Sequence, residues 1–164
     1  MQVTVTIGLI LLLGAALHDI AVRTVPNCFA VALAAVGVAA RLLAGDLLVG
    51  LAVAAAVFVV AALLWLRRMM GGADAKLLGA VALVAPPERV LPLMLMTAVC
   101  GGVLAVFYLV MARVVGRPTQ GRRNTLMARL AKAEQWRLSR RGPLPYAVAI
   151  AGGSIISLSP LVAG

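Results

Sequence analysis

The sequence predicts an all-α fold, a polytopic membrane helix bundle of about six transmembrane helices, and three observations carry that expectation. Apolar residues fill 63% of the 164 positions, charged residues only 12%, and the mean hydropathy is +1.08. A soluble domain is roughly a quarter charged. The apolar residues also gather into runs near the ~20 residues that a helix needs to cross a hydrocarbon core of about 30 Å. One transmembrane domain then accounts for residues 1–164, with no room for an added soluble domain of the usual ~50 residues or more.

The runs are 3–17, 28–44, 47–66, 75–85, 90–112 and 144–164. The third, fifth and sixth contain no charged residue over 20, 23 and 21 positions, which meets the length criterion with room for tilt. The first extends back to Met1 and lacks the positive charge that opens a cleaved export signal, so it reads as a retained helix. In the second, Arg41 lies near one end, where its stem is expected to snorkel to the headgroups. The fourth is short and carries Asp74 and Lys76 at its start. Pro26, Gly71, Gly72, Pro86, Pro87, Pro143 and Pro145 punctuate the run ends.

Charge sets the orientation. With the N-terminus outside, the cytoplasmic segments are 18–27, 67–76 and 113–142, and they hold thirteen of the fifteen Lys and Arg residues. Only Arg41 and Arg89 fall outside, so the positive-inside rule selects N-out and C-out. The same count explains the net charge of +10 without nucleic acid, leaving anionic lipid as the polyanion at that face. The basic cytoplasmic loop at 113–143 reads as solvated or headgroup-bound. An interfacial helix over 122–138, with Leu126, Leu130 and Ala133 on one face, is the other reading, but Arg123 and Arg137 fall close to that stripe.

Cys28 and Cys100 have no second thiol at metal-ligand spacing and are expected to be buried and inert, so no metal or cofactor is called for. His18 is the sole histidine and reads as an interfacial residue. The five acids are more informative. Asp46 and Glu88 fall in short external turns and Glu134 in the basic loop, whereas Asp19 and Asp74 each abut an apolar helix, where a carboxylate costs up to ~3 kcal/mol. Solvation at the interface would explain either one alone. In the N-out topology, however, the first helix ends and the fourth begins at the same membrane face, so the two acids can meet. Paired carboxylates cannot both ionise, and a shared proton supplies one acid and one base. The same pair could equally relay protons through a small transporter.

The segments around these acids resemble a known family. His18-Asp19-Ile20-Ala21-Val22-Arg23-Thr24-Val25-Pro26-Asn27 resembles the part of type IV prepilin peptidases in which an Asp is followed by Arg and then aliphatic-Pro-Asn. Gly71-Gly72-Ala73-Asp74-Ala75-Lys76-Leu77-Leu78 is similar to their G-x-G-D-x-K-L-L motif, whose GxGD core is shared with presenilin-like intramembrane proteases. Pro145-Tyr146, opening the last helix, extends the likeness. The resemblance implies a membrane aspartic endopeptidase of the bacterial inner membrane. It would remove the short basic leader of pilin-like precursors after a glycine at the cytoplasmic face, with Asp19 and Asp74 as its catalytic pair.

Two departures bear on that implication. Ala73 stands at the motif's second glycine, which would strain a positive φ but suits a helix start. Larger members carry an insertion with two Cys-x-x-Cys pairs, linked to N-methylation, where this chain has only about eight residues between Asp19 and Asn27. The likeness is therefore to the compact form associated with tight-adherence (Flp-type) type IV pili, without zinc and without methyltransferase activity.

The motif residues also make physical sense by themselves. Gly71 and Gly72 are expected to let an extended substrate backbone approach Asp74. Arg23 can hold an anion or act as a positive-inside anchor. Lys76 lies about 200° around a helix from Asp74 and is not expected to pair with it. Pro26 and Asn27 are expected to start the second helix. Helix polarity favours a charged Asp74 at an N-terminus over a charged Asp19 at a C-terminus, which makes Asp74 the expected base. A transporter would need polar residues through the membrane midplane, and the runs offer almost none. A noncatalytic pilus-assembly protein would tolerate loss of either acid.

Overall fold

The structure, a computed structural model, describes residues 2–22, 24–114 and 145–163. These form seven helices: α1 (Gln2–Val22), α2 (Asn27–Ala44), α3 (Leu47–Leu66), α4 (Gly72–Val84), α5 (Pro87–Val114), α6 (Tyr146–Leu158) and α7 (Pro160–Ala163). No strand occurs among the described residues. A bilayer imposes this choice, because a helix satisfies its own backbone donors and acceptors where water is absent. Gln2–Val22, Asn27–Ala44, Leu47–Leu66 and Pro87–Met111 are each long and apolar enough to cross a membrane. The chain is an all-α, polytopic integral membrane protein.

The fourth and sixth runs are helical but only 13 residues each, about 20 Å at 1.5 Å per residue. The sixth, expected to continue unbroken over 144–164, stops at Leu158 and restarts at Pro160. The proline nitrogen carries no hydrogen to continue the ladder. Arg23 and the basic segment 115–144, including the candidate interfacial helix over 122–138, lie outside the described residues.

The chain divides into two compact units, Met1–Gly101 with Pro145–Gly164, and Gly102–Leu144. In the second, the described residues are the last turns of α5, where the Phe107 and Tyr108 rings meet edge to face with centroids 6.1 Å apart. In the first, α4 is the central element. Ala75 and every residue from Leu77 to Val84 are buried, because α4 packs on α2 and α3 and also touches α1 and α6. A helix apolar all round is a core helix.

Small residues allow the close approaches. A Cβ on Gly37 would lie 2.9 Å from the Leu83 backbone, and one on Gly8 would lie 2.9 Å from Val84 Cγ1. One on Gly153 would overlap the backbone of Thr97 in α5. Helices in lipid gain association from such backbone contact, since hydrophobic burial does not separate lipid from protein. The Gly8 contact also fixes direction: the start of α1 lies beside the end of α4. The end of α1 and the start of α4 therefore share the opposite end of the bundle.

Away from that shared end, α2 and α3 form a hairpin. Gly45 takes φ +76°, and the amides of Gly45 and Asp46 return to the carbonyls of Leu42 and Arg41, the Schellman pattern that closes a helix. Arg41 does not snorkel as expected. It is fully buried and donates to Asp46 Oδ2 at 2.8 Å. The reason lies in α3, where Gly50 leaves the space filled by the Arg41 stem; a Cβ there would sit 2.5 Å from Arg41 Cδ. Asp46 is accordingly an ion-pair partner, not the plain hydrated carboxylate expected of an external turn.

Two stability predictions follow from these contacts. Asp46→Ala leaves a buried guanidinium uncompensated and is expected to cost about 3 kcal/mol, whereas the pair replacement Arg41→Met with Asp46→Leu costs less. Gly153→Ala is expected to cost about 1–3 kcal/mol by overpacking. Thermal unfolding in detergent measures both. An Asp46→Ala variant as stable as the parent would remove the ion pair from the account.

Candidate active site

Asp19 and Asp74 are carried by antiparallel helices to one end of the first unit. Asp19 lies in the last turn of α1 and is 7% exposed. Asp74 lies in the first turn of α4 and is partly buried. The charge of Asp19 acts on Asp74 through space, so two acids 55 positions apart in sequence are electrostatic neighbours.

Local structure fixes the position of Asp74. Gly71 ends the α3–α4 connection in an extended conformation, φ −70° and ψ 142°, and the helix begins at the next residue. Three residues after Gly71, the Asp74 carboxylate reaches back to accept from the Gly71 backbone N–H, which is one half of a capping box. The reach is close. A Cβ on Gly71 would sit 2.6 Å from Asp74 Oδ2.

The geometry shows what lies beside the two glycines. Neither has a positive φ, and the acid's own carboxylate lies over Gly71. At Gly72 a Cβ would meet the Trp65 indole at 3.1 Å, so this glycine lets the ring at the end of α3 cover the start of α4. Ala73 lies within the first turn of α4. Arg68 is the one non-glycine residue with positive φ among those described, so the departure at position 73 carries no backbone strain.

The other motif residues tie the α1–α2 connection to α4. His18 Nδ1 lies 2.6 Å from the Thr24 carbonyl oxygen and its ring stands 6.2 Å from that of Phe29, so the imidazole fastens the turn. Pro26, with φ −58°, leads into Asn27 as the first residue of α2. Asn27 Oδ1 accepts from Lys76 Nζ at 3.0 Å. Lys76 thus bonds on the far side of α4 from Asp74, and the segments that carry the two acids are joined by a direct side-chain contact. Arg23 lies outside the described residues.

Two findings were not anticipated. Tyr146, the first residue of α6, is near enough to feel the charge of Asp74, and its ring occupies the space above Gly101 in α5, where a Cβ would lie 3.1 Å away. Its only sequence signal was its place after Pro145. The thiols differ from expectation as well: Cys28 is exposed in the first turn of α2, at the rim of the bundle, and Cys100 is half-buried. No cluster of metal-ligating side chains occurs among the described residues.

Ala73→Gly, which restores the motif's second glycine, is expected to lower stability by about 0.5–1 kcal/mol through lost helix propensity. A higher unfolding temperature would instead reveal strain at that position.

Residues 6–106 match the model of the type IV leader peptidase family, a stretch that covers more than half of the chain and includes Asp19, Asp74 and the residues joining their segments. No curated protein and no solved structure matches the chain. On the extent of the family match, the chain belongs to the type IV leader peptidase family.

Proposed function

We propose that this leader-peptidase-like membrane protein is an aspartic endopeptidase that removes the basic leader from Flp-like prepilins at the cytoplasmic face of the inner membrane. Asp19 and Asp74 activate the water. The observation that carries this reading is that the charge of Asp19 acts on Asp74, whose carboxylate accepts from the Gly71 amide.

In the proposed reaction the two carboxyl groups together hold one proton. The ionised carboxylate takes a proton from water as the water oxygen bonds to the scissile carbonyl carbon, and the protonated carboxyl gives its proton to the carbonyl oxygen. Collapse of the tetrahedral intermediate returns that proton to the pair and sends the first to the departing nitrogen. Which carboxyl starts as the acid is a property of the coupled pair, not of one residue. A peptide in a closed helix shields its carbonyl carbon, so the cleavage region is bound unwound.

The substrate is itself a membrane helix with a positive leader, and the positive-inside rule keeps that leader on the side where this chain would place its acids, with N-out and C-out topology. The connection between α1 and α2 is residues 23–26, and the only two cysteines are far apart. The proposal therefore includes no methyl transfer.

Co-expression with a candidate precursor tests the reading. Asp19→Asn and Asp74→Asn are each expected to lower leader removal by about 10²–10⁴-fold while the protein still accumulates in the membrane. Gly71→Ala pushes on Asp74 Oδ2 without altering the catalytic groups, and a displacement near 1 Å costs about 10²-fold. Normal processing by either Asn variant would favour a noncatalytic assembly role and sink the proposal.

A further inference from the structure

A groove in the first unit lies away from the acids. It encloses about 600 Å³ between α2, α3 and α4 and is lined along its length by residues such as Ala34, Ala55, Phe58 and Leu83, with Asn27 and Lys76 at one end. Lys76 is the one charged residue of this described lining. It bonds to Asn27 with one of its three ammonium hydrogens, and it is exposed.

The geometry separates this groove from the candidate active site. Asp74 and Lys76 project about 200° apart around α4. Asp74 faces the side of Asp19 and Tyr146, whereas Lys76 faces Asn27 and the walls formed by α2 and α3. The occupant of the groove must be apolar over most of its length and anionic at the end beside Lys76. Phe58 packs onto Gly79 in the groove wall, where a Cβ would lie 3.0 Å from Phe58 Cβ.

We propose that this groove is a binding site for one anionic phospholipid, with the headgroup phosphate on Lys76 and an acyl chain along α4 between Ala34, Ala55 and Leu83. The site lies beyond the proposed peptidase chemistry and stands whether or not that reading holds. Its energetic basis is the burial of methylene groups, each favourable on leaving water, joined to one basic contact at the membrane face.

Native mass spectrometry of the full chain in detergent, titrated with phosphatidylglycerol and separately with phosphatidylcholine, reads the site directly. The parent protein is expected to retain one phosphatidylglycerol more tightly than phosphatidylcholine. Lys76→Gln is expected to weaken phosphatidylglycerol binding about 5-fold and to bring the two lipids level. Ala55→Phe, at an exposed lining position, fills the groove and is expected to lower retention of both lipids. Equal retention of the two lipids by the parent, or unchanged phosphatidylglycerol binding in either variant, would overturn the site. So would displacement of the lipid by a single-span peptide whose own binding Ala55→Phe abolishes, since that would assign the groove to a helix.

Discussion

A carboxylate at the edge of a bilayer has little water to hold it, and here the first turn of α4 supplies the hold. The Gly71 amide, an unsatisfied donor at any helix start, is satisfied by the Asp74 side chain three residues later. The arrangement sets the rest of the site. The carboxylate lies over Gly71, so a Cβ at position 71 would displace it; the helix begins at Gly72, so position 73 is ordinary helix; and α2 and α3 pack on the other faces of α4.

The bundle solves its packing with the same device repeated. Gly8, Gly37, Gly50 and Gly153 each lie where a neighbouring helix or the Arg41 stem comes closer than a Cβ would allow. Outward, the long helices present large apolar side chains, including Leu43, Leu48, Val60, Leu95 and Val103, as lipid-facing surfaces do. Polar side chains meet at both ends of the first unit: the Arg41–Asp46 pair at one, and the acids with His18, Asn27, Lys76 and Tyr146 at the other.

Much of this was legible in the sequence, because bilayer thickness converts directly into run length and the spacing of Asp74 and Lys76 converts directly into opposite faces. The meeting of Asp19 and Asp74 at one end followed from counting spans between them. Other features depend on contacts between residues distant in sequence and leave no periodic trace. Arg41 is buried because Gly50 lies across from it, the role of Gly71 depends on the rotamer of Asp74, and Tyr146 reaches the acids only through the packing of α6. The helix break at Pro160 had a local signal in the missing amide hydrogen, which the uncharged character of the 144–164 run obscured.

The bond between Lys76 and Asn27 has a mechanical meaning. A 13-residue rod that slides or rolls as a unit carries its first-turn carboxylate with it, and one residue of screw motion turns a side chain by about 100°. By fastening α4 to the start of α2 only two positions past Asp74, this clasp sets the azimuth of the rod close to that acid. The far end is held separately, by Leu83 against Gly37 and Val84 against Gly8, so rotation of the rod is resisted at both of its ends.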